Sequence, residues 1–241
     1  MDDQLADRYR DGRVFIAGDA AHVHPIAGGL GMNTGIQDAY NLGWKLALAP
    51  RGQARDSLLD TYERERRPVA ASVLKTSGAS MTALFSAKPL MTFLRDRIIL
   101  PLMRSPAVTK AIVSRTSQLG VNYRDSELSV GEKGKVRPGD RAPDSPCGHP
   151  VTVEQSRLFD LFRGPHFTLL QFGTEVPGLA ERLDGLYGDD VRVHRLEPGP
   201  ASRRYGAGRG TLVLVRPDGY VAVRTRSGDA VADYLRTISG V

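Results

Sequence analysis

Apolar residues in the first half of the chain recur at the spacings of strands and helices. The run VFIA at 14–17 is bounded by glycines and predicts a short buried strand. Residues 33–49 carry apolar side chains three and four apart, which predicts a helix with one buried face. That face is expected to contain Ile36, Ala39, Tyr40, Leu42, Gly43, Leu46 and Ala47, with Tyr40 and Trp44 in the core.

Helical spacing continues through the middle of the chain. A second helix is expected from about Asp56, and Pro68 should kink or restart it because proline has no N–H group to donate. Further segments with helical spacing extend to Leu119. This middle region is therefore predicted to be all helix.

The last third of the chain alternates between strand and helix patterns. Its predicted elements are a buried strand, a helix, an alternating strand, a hairpin and a last helix, at 167–173, 177–188, 191–196, 211–225 and 230–238. The hairpin turn contains Pro-Asp-Gly, and Gly219 supplies the positive φ that a tight turn needs. Strand, helix, strand, hairpin and helix is the order of a thioredoxin-like unit.

A change in composition separates the two patterns. Residues 121–150 have few apolar side chains and many glycines, prolines and charges, which predicts a linker. We therefore predict an α/β fold with a strand-helix unit and a helical segment in 1–120, and a thioredoxin-like domain in 151–241.

The composition is typical of a globular protein and excludes several classes. The 241 residues are 41% hydrophobic and 25% charged, and no apolar run is long enough to span a bilayer. The first twenty residues lack the basic and apolar blocks of a secretion signal. We expect a cytoplasmic protein with no membrane contact.

The net charge of +6 raises the question of nucleic acid. The basic residues are scattered, and the densest groups, at 64–68 and 202–209, have few aromatic neighbours on which bases could stack. A solvated basic face is favoured, and no nucleic-acid partner is expected.

Few residues are candidates for metal binding or thiol chemistry. His22 and His24 lie two apart without a third ligand at suitable spacing, so we expect structural hydrogen bonds and no metal. Cys147 is the single cysteine, which excludes an internal disulfide and favours an inert thiol.

A glycine-rich loop between the first predicted strand and helix, GDAAHVHPIAGGLGMNTGIQD at 18–38, is the candidate binding site. Glycines let backbone N–H groups approach a ligand, and the helix that follows directs its positive end at it. Gly29, Gly31 and Gly35 are not spaced as a dinucleotide fingerprint or a phosphate loop. Asp19 would repel phosphate but could accept hydrogen bonds from a polyol. An acid for hydroxyl groups and a helix start for an electron-rich ring match the ribityl chain and isoalloxazine of a flavin.

The loop and its surroundings resemble a known family. The stretches GRVFIAGDAAHVHPIAGGLGMNTGIQDAYNLGWKLA and LLDTYERERRPVA resemble the second flavin-binding (GD) motif of the FAD-dependent aromatic hydroxylases, the para-hydroxybenzoate hydroxylase class. The stretches LGVNYRDSEL, PGDRAPD, LFDLFRGPHFTLLQFG and LVLVRPDGYVAVR resemble the linker and thioredoxin-like domain of its aromatic polyketide branch. The resemblance covers nearly the whole chain.

The resemblance implies roles for particular residues. Asp19 would bind the ribityl hydroxyls, Pro25 would lie near the reactive edge of the flavin, and the N–H groups of Met32 and Asn33 would face N1 and the C2 carbonyl. The cofactor-binding residues it implies are Gly18, Asp19, Pro25, Gly28, Gly29, Gly31, Met32 and Asn33. No catalytic side chain is assigned.

The resemblance also implies a reaction and a missing part. In the family, NADPH or NADH reduces FAD, and oxygen is then used to hydroxylate a small aromatic substrate. Family members begin with a G-x-G-x-x-G unit for the ADP half of FAD, which these 241 residues lack. The chain resembles a truncated, C-terminal half, and a natural truncation, a partner of a separate N-terminal chain and a misplaced start remain open.

Three functional hypotheses follow. The first is a hydroxylase represented by its C-terminal half, and the second is a non-catalytic relative that acts as partner or scaffold. The third, a thiol redox protein, is least favoured because residues 174–177 stand where a redox cysteine is expected. The thioredoxin-like domain is interpreted as a non-redox module for packing or homodimer contacts.

Overall fold

The computed structural model describes residues 4–23, 30–49, 55–86, 88–147 and 157–239. Its contacts divide the chain into two compact units. Unit 1 comprises Met1–Gly43 and Tyr62–Val121, and unit 2 comprises Trp44–Thr61 and Asn122–Val241. The domain boundaries predicted at residues 120 and 150 stay a prediction.

The first residues of unit 1 form two short antiparallel pairs. Strand β1 (Gln4–Leu5) pairs with β4 (His22–Val23), and β2 (Arg10–Asp11) pairs with β3 (Val14–Phe15). The buried strand predicted at 14–17 is thus only two residues long, and Val14 is 66% exposed. A two-stranded ribbon leaves one face open to solvent, so the apolar run did not indicate burial on both sides.

Helix α1 (Leu30–Leu48) begins three residues before the predicted start, and its buried face differs from the predicted one. Ile36 and Tyr40, which were expected inside, are 58% and 61% exposed. The buried face instead carries polar side chains, namely Thr34, Asp38, Asn41 and Lys45, beside the predicted Leu42 and Trp44. Buried polar groups are tolerated where partners satisfy them, and α2 (Asp56–Phe85) supplies such partners, as in the 2.6 Å hydrogen bond from Asn41 Nδ2 to Glu65 Oε2.

The helical middle region is confirmed, with one difference. Helix α2 runs through Pro68 without a restart. It is followed by α3 (Pro89–Leu94), a π-helical turn at Arg95–Ile99, α4 (Leu100–Met103) and α5 (Pro106–Thr116). In the part of the chain that the structure describes, no helix is both long enough and apolar enough to cross a membrane.

Unit 2 is built on a five-stranded sheet in the order β5-β9-β8-β6-β7. The strands are β5 (Val130–Gly131), β6 (Phe167–Phe172), β7 (Val191–Leu196), β8 (Thr211–Val215) and β9 (Val221–Thr225). Strands β6 and β7 are parallel, β8 runs antiparallel to β6 and β9, and β5 is parallel to β9. Together with the helices α7 (Leu179–Tyr187), α8 (Pro200–Tyr205) and α9 (Gly228–Ser239), this sheet forms the predicted thioredoxin-like arrangement.

The sheet of unit 2 is covered on both faces. Every residue of β6, β8 and β9 is buried. Leu169 packs into one apolar cluster with α7 and α9, and Leu170 packs into a second with α8 and α6 (Leu158–Leu161). Successive side chains of a strand point to opposite faces, so one apolar run fills both clusters.

The segment predicted as a linker packs onto this sheet over residues 122–147. It contributes β5 to the sheet edge, and Tyr123, Leu128, Val136 and Ala142 are buried. A few apolar side chains and one strand pairing thus hold this segment at the edge of the sheet.

Candidate functional site

The glycine loop approaches α1 at two glycines. Gly18 opens a 3-10 turn at Gly18–Ala20 and has a φ of +60°, where residues with a side chain are strained. A Cβ atom added to Gly35 of α1 would lie 3.2 Å from the Cα of Gly18. The two glycines therefore let the backbone of the turn lie directly against the helix.

Asp19 follows on this turn, and its side chain is exposed. Three other predicted cofactor residues, Gly31, Met32 and Asn33, lie in the first turn of α1, where Met32 and Asn33 are exposed. The first N–H groups of a helix have no partner within it, and the first turn of α1 contains no acidic residue to neutralise its positive end. Unit 1 thus offers a free carboxylate for hydroxyl groups and a helix start for electron-rich atoms.

The remaining predicted residues, Pro25, Gly28 and Gly29, lie outside the described residues, as does His24. Their roles stay predictions. His22 makes the structural hydrogen bond that was expected of it, since its Nε2 lies 2.6 Å from Oδ2 of Asp38.

Asp38 is the residue that sequence reasoning missed. Its carboxylate accepts a hydrogen bond from the backbone N–H of Gly18 (3.1 Å) and one from Nε of Arg66 (2.6 Å). Burial alone would raise the pKa of Asp38, but the hydrogen bond with His22 and the charge of Arg66 outweigh it and hold that pKa below its ordinary value. An acid among the apolar positions of α1, with the basic run around Arg66 downstream, was the available signal.

The surroundings of the thiol of unit 2 disfavour redox chemistry. Cys147 is buried, and burial, followed by the nearby Asp144 and Asp160, raises the pKa of its thiol. A raised pKa disfavours the thiolate that redox chemistry needs. The loop after β6 is held by a hydrogen bond from Val176 N–H to Gln171 Oε1 and contains no cysteine.

Two protein families match the chain. Residues 1–77 match the family described as FAD binding domain, and residues 135–240 match the one described as Aromatic-ring hydroxylase, C-terminal. The first match contains the glycine loop, Asp19 and Asp38, and the second contains strands β6 to β9 of the unit 2 sheet.

Curated relatives agree with these matches. A flavin-dependent monooxygenase of Mycobacteroides abscessus is 44% identical over 98% of this chain and 42% of its own length. Pentachlorophenol 4-monooxygenase of Sphingobium chlorophenolicum is 38% identical over 92% of this chain and 44% of its own. The chain therefore spans less than half the length of these curated relatives.

Solved structures show the same fold. The anhydrotetracycline hydroxylase OxyS from Streptomyces rimosus superposes with a TM-score of 0.80 at 36% identity, covering 99% of this chain and 47% of that one. CabE, an aromatic hydroxylase from angucycline biosynthesis, superposes with a TM-score of 0.77 at 32% identity, covering 98% and 47%.

The glycine loop before α1 lies in the part that matches an FAD binding domain, and the thioredoxin-like strands lie in the part that matches the C-terminal region of aromatic-ring hydroxylases. The resemblance to the flavin-dependent aromatic hydroxylases that the sequence motifs indicated is thus confirmed, and the first match supports FAD as the cofactor.

Proposed function

We propose that this chain forms part of an FAD-dependent monooxygenase that hydroxylates an aromatic substrate with NAD(P)H and O2, and that it holds the ribityl and isoalloxazine side of FAD. The observation that carries the proposal is the turn Gly18–Ala20, which presents the exposed Asp19 and lies against α1. A cytoplasmic location is part of this proposal.

The described residues fit the cofactor. Asp19 offers a carboxylate to the ribityl hydroxyls, and Met32 and Asn33 lie where a helix start favours an electron-rich ring. The close approach of Gly18 and Gly35 leaves no space for a side chain between turn and helix. When bound, FAD would supply the redox chemistry that activates oxygen. The protein's part is to orient the flavin and to stabilise negative charge at the start of α1.

The substrate that we propose is a phenolic, polyketide-type aromatic molecule. Support comes from the names of relatives, which include an anhydrotetracycline monooxygenase of Streptomyces rimosus and an aklavinone 12-hydroxylase of Streptomyces purpurascens.

We further propose that more polypeptide, in the same or a separate chain, covers one face of α1. Met32, Ile36 and Tyr40 recur every fourth residue, so they form one apolar stripe, and each is more than half exposed. Such a stripe is unfavourable in water, and the relatives contain more than twice this chain's length. The proposed cover is a polypeptide with the G-x-G-x-x-G unit for the ADP half of FAD.

A titration of the purified chain with FAD tests the proposed function. Flavin fluorescence and the visible absorbance band should report saturable binding, and Asp19→Ala should weaken it about tenfold or more, the loss expected for a charge-assisted hydrogen bond. Asp7→Ala is the matched control, because Asp7 is an exposed acid of the same unit outside the loop. Equal affinities for the two variants would contradict the role of Asp19.

The second candidate is a non-catalytic relative that acts as a partner or scaffold. The exposed stripe of α1 favours it, since a surface that binds polypeptide is all that this function needs. Absence of FAD binding, together with formation of a stable complex with a G-x-G-x-x-G polypeptide that remains inactive, would favour this candidate.

A further inference from the structure

A buried polar network lies beneath the glycine loop, and none of the roles proposed above uses it. Asp38 stands at its centre, on α1, and contacts the turn through Gly18 N–H, strand β4 through His22, and α2 through Arg66. The side chains of His22, Asp38 and Arg66 are fully buried. One carboxylate therefore joins four segments of unit 1.

The network continues to the segment after α5. Arg66 Nη2 donates to the carbonyl of Thr34 (3.2 Å), and Gln118 Nε2 donates to Thr34 Oγ1 (2.8 Å). Gln118 also accepts a hydrogen bond from Gln37 Nε2 (2.9 Å). Arg66 of α2 and Gln118 after α5 thus both hold the first turns of α1, at Thr34 and Gln37.

Gln118 adopts a strained backbone to make these bonds. Its φ is +53°, the only positive value at a non-glycine residue in the part of the chain that the structure describes. A conformation of this kind persists only when surrounding contacts enforce it, and such residues cluster at functional sites. The strained backbone of Gln118 therefore indicates that the hydrogen bonds of the network enforce its conformation.

We propose that Asp38 is a positioning residue for the flavin, which holds the turn of Asp19 and the start of α1 at a fixed spacing. This inference rests on the proposed function, because it assigns the distance between the two flavin-binding elements to a residue that does not touch the flavin. Asp19 can bind the ribityl chain while α1 faces the ring only if the turn and the start of α1 keep a fixed distance and orientation. The hydrogen bond from Gly18 N–H to Asp38 fixes this distance, because Gly18 directly precedes Asp19 and Asp38 belongs to α1.

The pKa of Asp38 supports this assignment. His22 and Arg66 hold it below its ordinary value despite burial, so the carboxylate is ionised at neutral pH and can accept all three contacts. An asparagine at this position would have one acceptor oxygen and an NH2 group that faces donors. Asp38→Asn therefore breaks the network without a change in side-chain size.

Glu65→Gln is the matched control. Glu65 is also a buried acid, on α2, and it accepts a hydrogen bond from Asn41 Nδ2 of α1 (2.6 Å). The N–H of Gly18 is bonded to Asp38. A general loss of helix packing would affect both variants alike. A positioning role affects Asp38→Asn alone.

The first measurement uses the flavin-free chain and does not depend on the proposed function. Peptide-resolved hydrogen exchange should show the segment 16–23 exchanging about tenfold faster in Asp38→Asn than in the parent, because opening there loses its buried anchor. The same segment in Glu65→Gln should stay within about threefold of the parent. Unchanged exchange in Asp38→Asn, or equal acceleration in both variants, overturns the inference.

The second measurement is FAD affinity, followed by flavin absorbance and fluorescence. Asp38→Asn should bind FAD about tenfold more weakly or worse, with a flavin band closer to that of free flavin, whereas Glu65→Gln should bind as the parent does. If the parent itself binds no FAD, the proposed function fails, while the exchange result still decides whether Asp38 positions the turn. Fast exchange with parent-like FAD affinity overturns the positioning role and leaves the proposed function intact.

A second variant covers the case in which Asp38→Asn fails to fold. Gln118→Gly removes both side-chain bonds at Thr34 and Gln37, while glycine relieves the positive φ. The backbone strain that glycine removes offsets part of the stability lost with the two hydrogen bonds. The melting temperature should therefore change little, whereas the affinity for FAD should fall severalfold. Parent-like affinity in Gln118→Gly would count against the network as a positioning device.

Discussion

Replacement of Gly35 by alanine tests the close approach of the glycine turn to α1. Gly43 lies in the same helix and provides the matched control, because a Cβ atom added there meets nothing within 4 Å. Alanine favours a helix interior by about 1 kcal/mol over glycine, and both substitutions gain this amount. The difference between the two variants therefore isolates the contact with Gly18.

The magnitude of that contact follows from its geometry. The new Cβ of Gly35→Ala would lie 3.2 Å from the Cα of Gly18, inside the ~3.5–4.0 Å at which carbon atoms attract. Gly18 cannot move away freely, because its N–H is bonded to the buried Asp38. Overpacking of this kind costs about 1–3 kcal/mol, so Gly35→Ala should be less stable than Gly43→Ala by that amount.

Urea unfolding followed by far-UV circular dichroism measures this difference. Peptide-resolved hydrogen exchange across α1 should accompany it, since two compact units need not unfold together. We expect Gly43→Ala to stabilise the chain by about 1 kcal/mol and to leave FAD binding unchanged. Gly35→Ala should weaken FAD binding because the turn of Asp19 is displaced. If both variants are stabilised equally, the reasoning about the turn is wrong.

Two further predictions concern charged groups. The pKa of Asp38 is lowered in the folded state by His22 and Arg66 against the effect of burial, so its contribution to stability is present above the unfolded pKa of about 4. This contribution is lost as the pH falls through the pKa that Asp38 has in the folded state. Denaturant unfolding of the chain at a series of acidic pH values should show the loss in unit 1. Equal stability of unit 1 at pH 6 and pH 3 would contradict it. Arg216→Ala should destabilise unit 2 by about 3–5 kcal/mol, because it removes the buried cation that pairs with the carboxylate of Asp218. Denaturant unfolding checks this value, and a loss below about 1 kcal/mol would refute the role of the pair.

The sheet of unit 2 was predictable because its signals are local. Strands β6 and β8 are buried on both faces, so apolar residues predominate in each of them along the sequence. The turn before β9 is encoded by Pro-Asp-Gly, with Gly219 at a φ of +79°. The family resemblance of the glycine loop was recognisable for the same reason, since Gly18 and Asp19 are neighbours in a local sequence motif.

The orientation of α1 could not be predicted from the sequence alone. Periodicity assigns apolar residues to the buried face, yet Ile36 and Tyr40 are exposed and Asp38 is buried. An acid can be buried only where its charge is compensated, and its partner Arg66 comes 28 residues later, on another helix. The sequence by itself thus determined the resemblance to a family and strands β6 to β9 of unit 2. Only the tertiary structure decided which face of α1 is inside, because that choice depends on distant charges brought into contact.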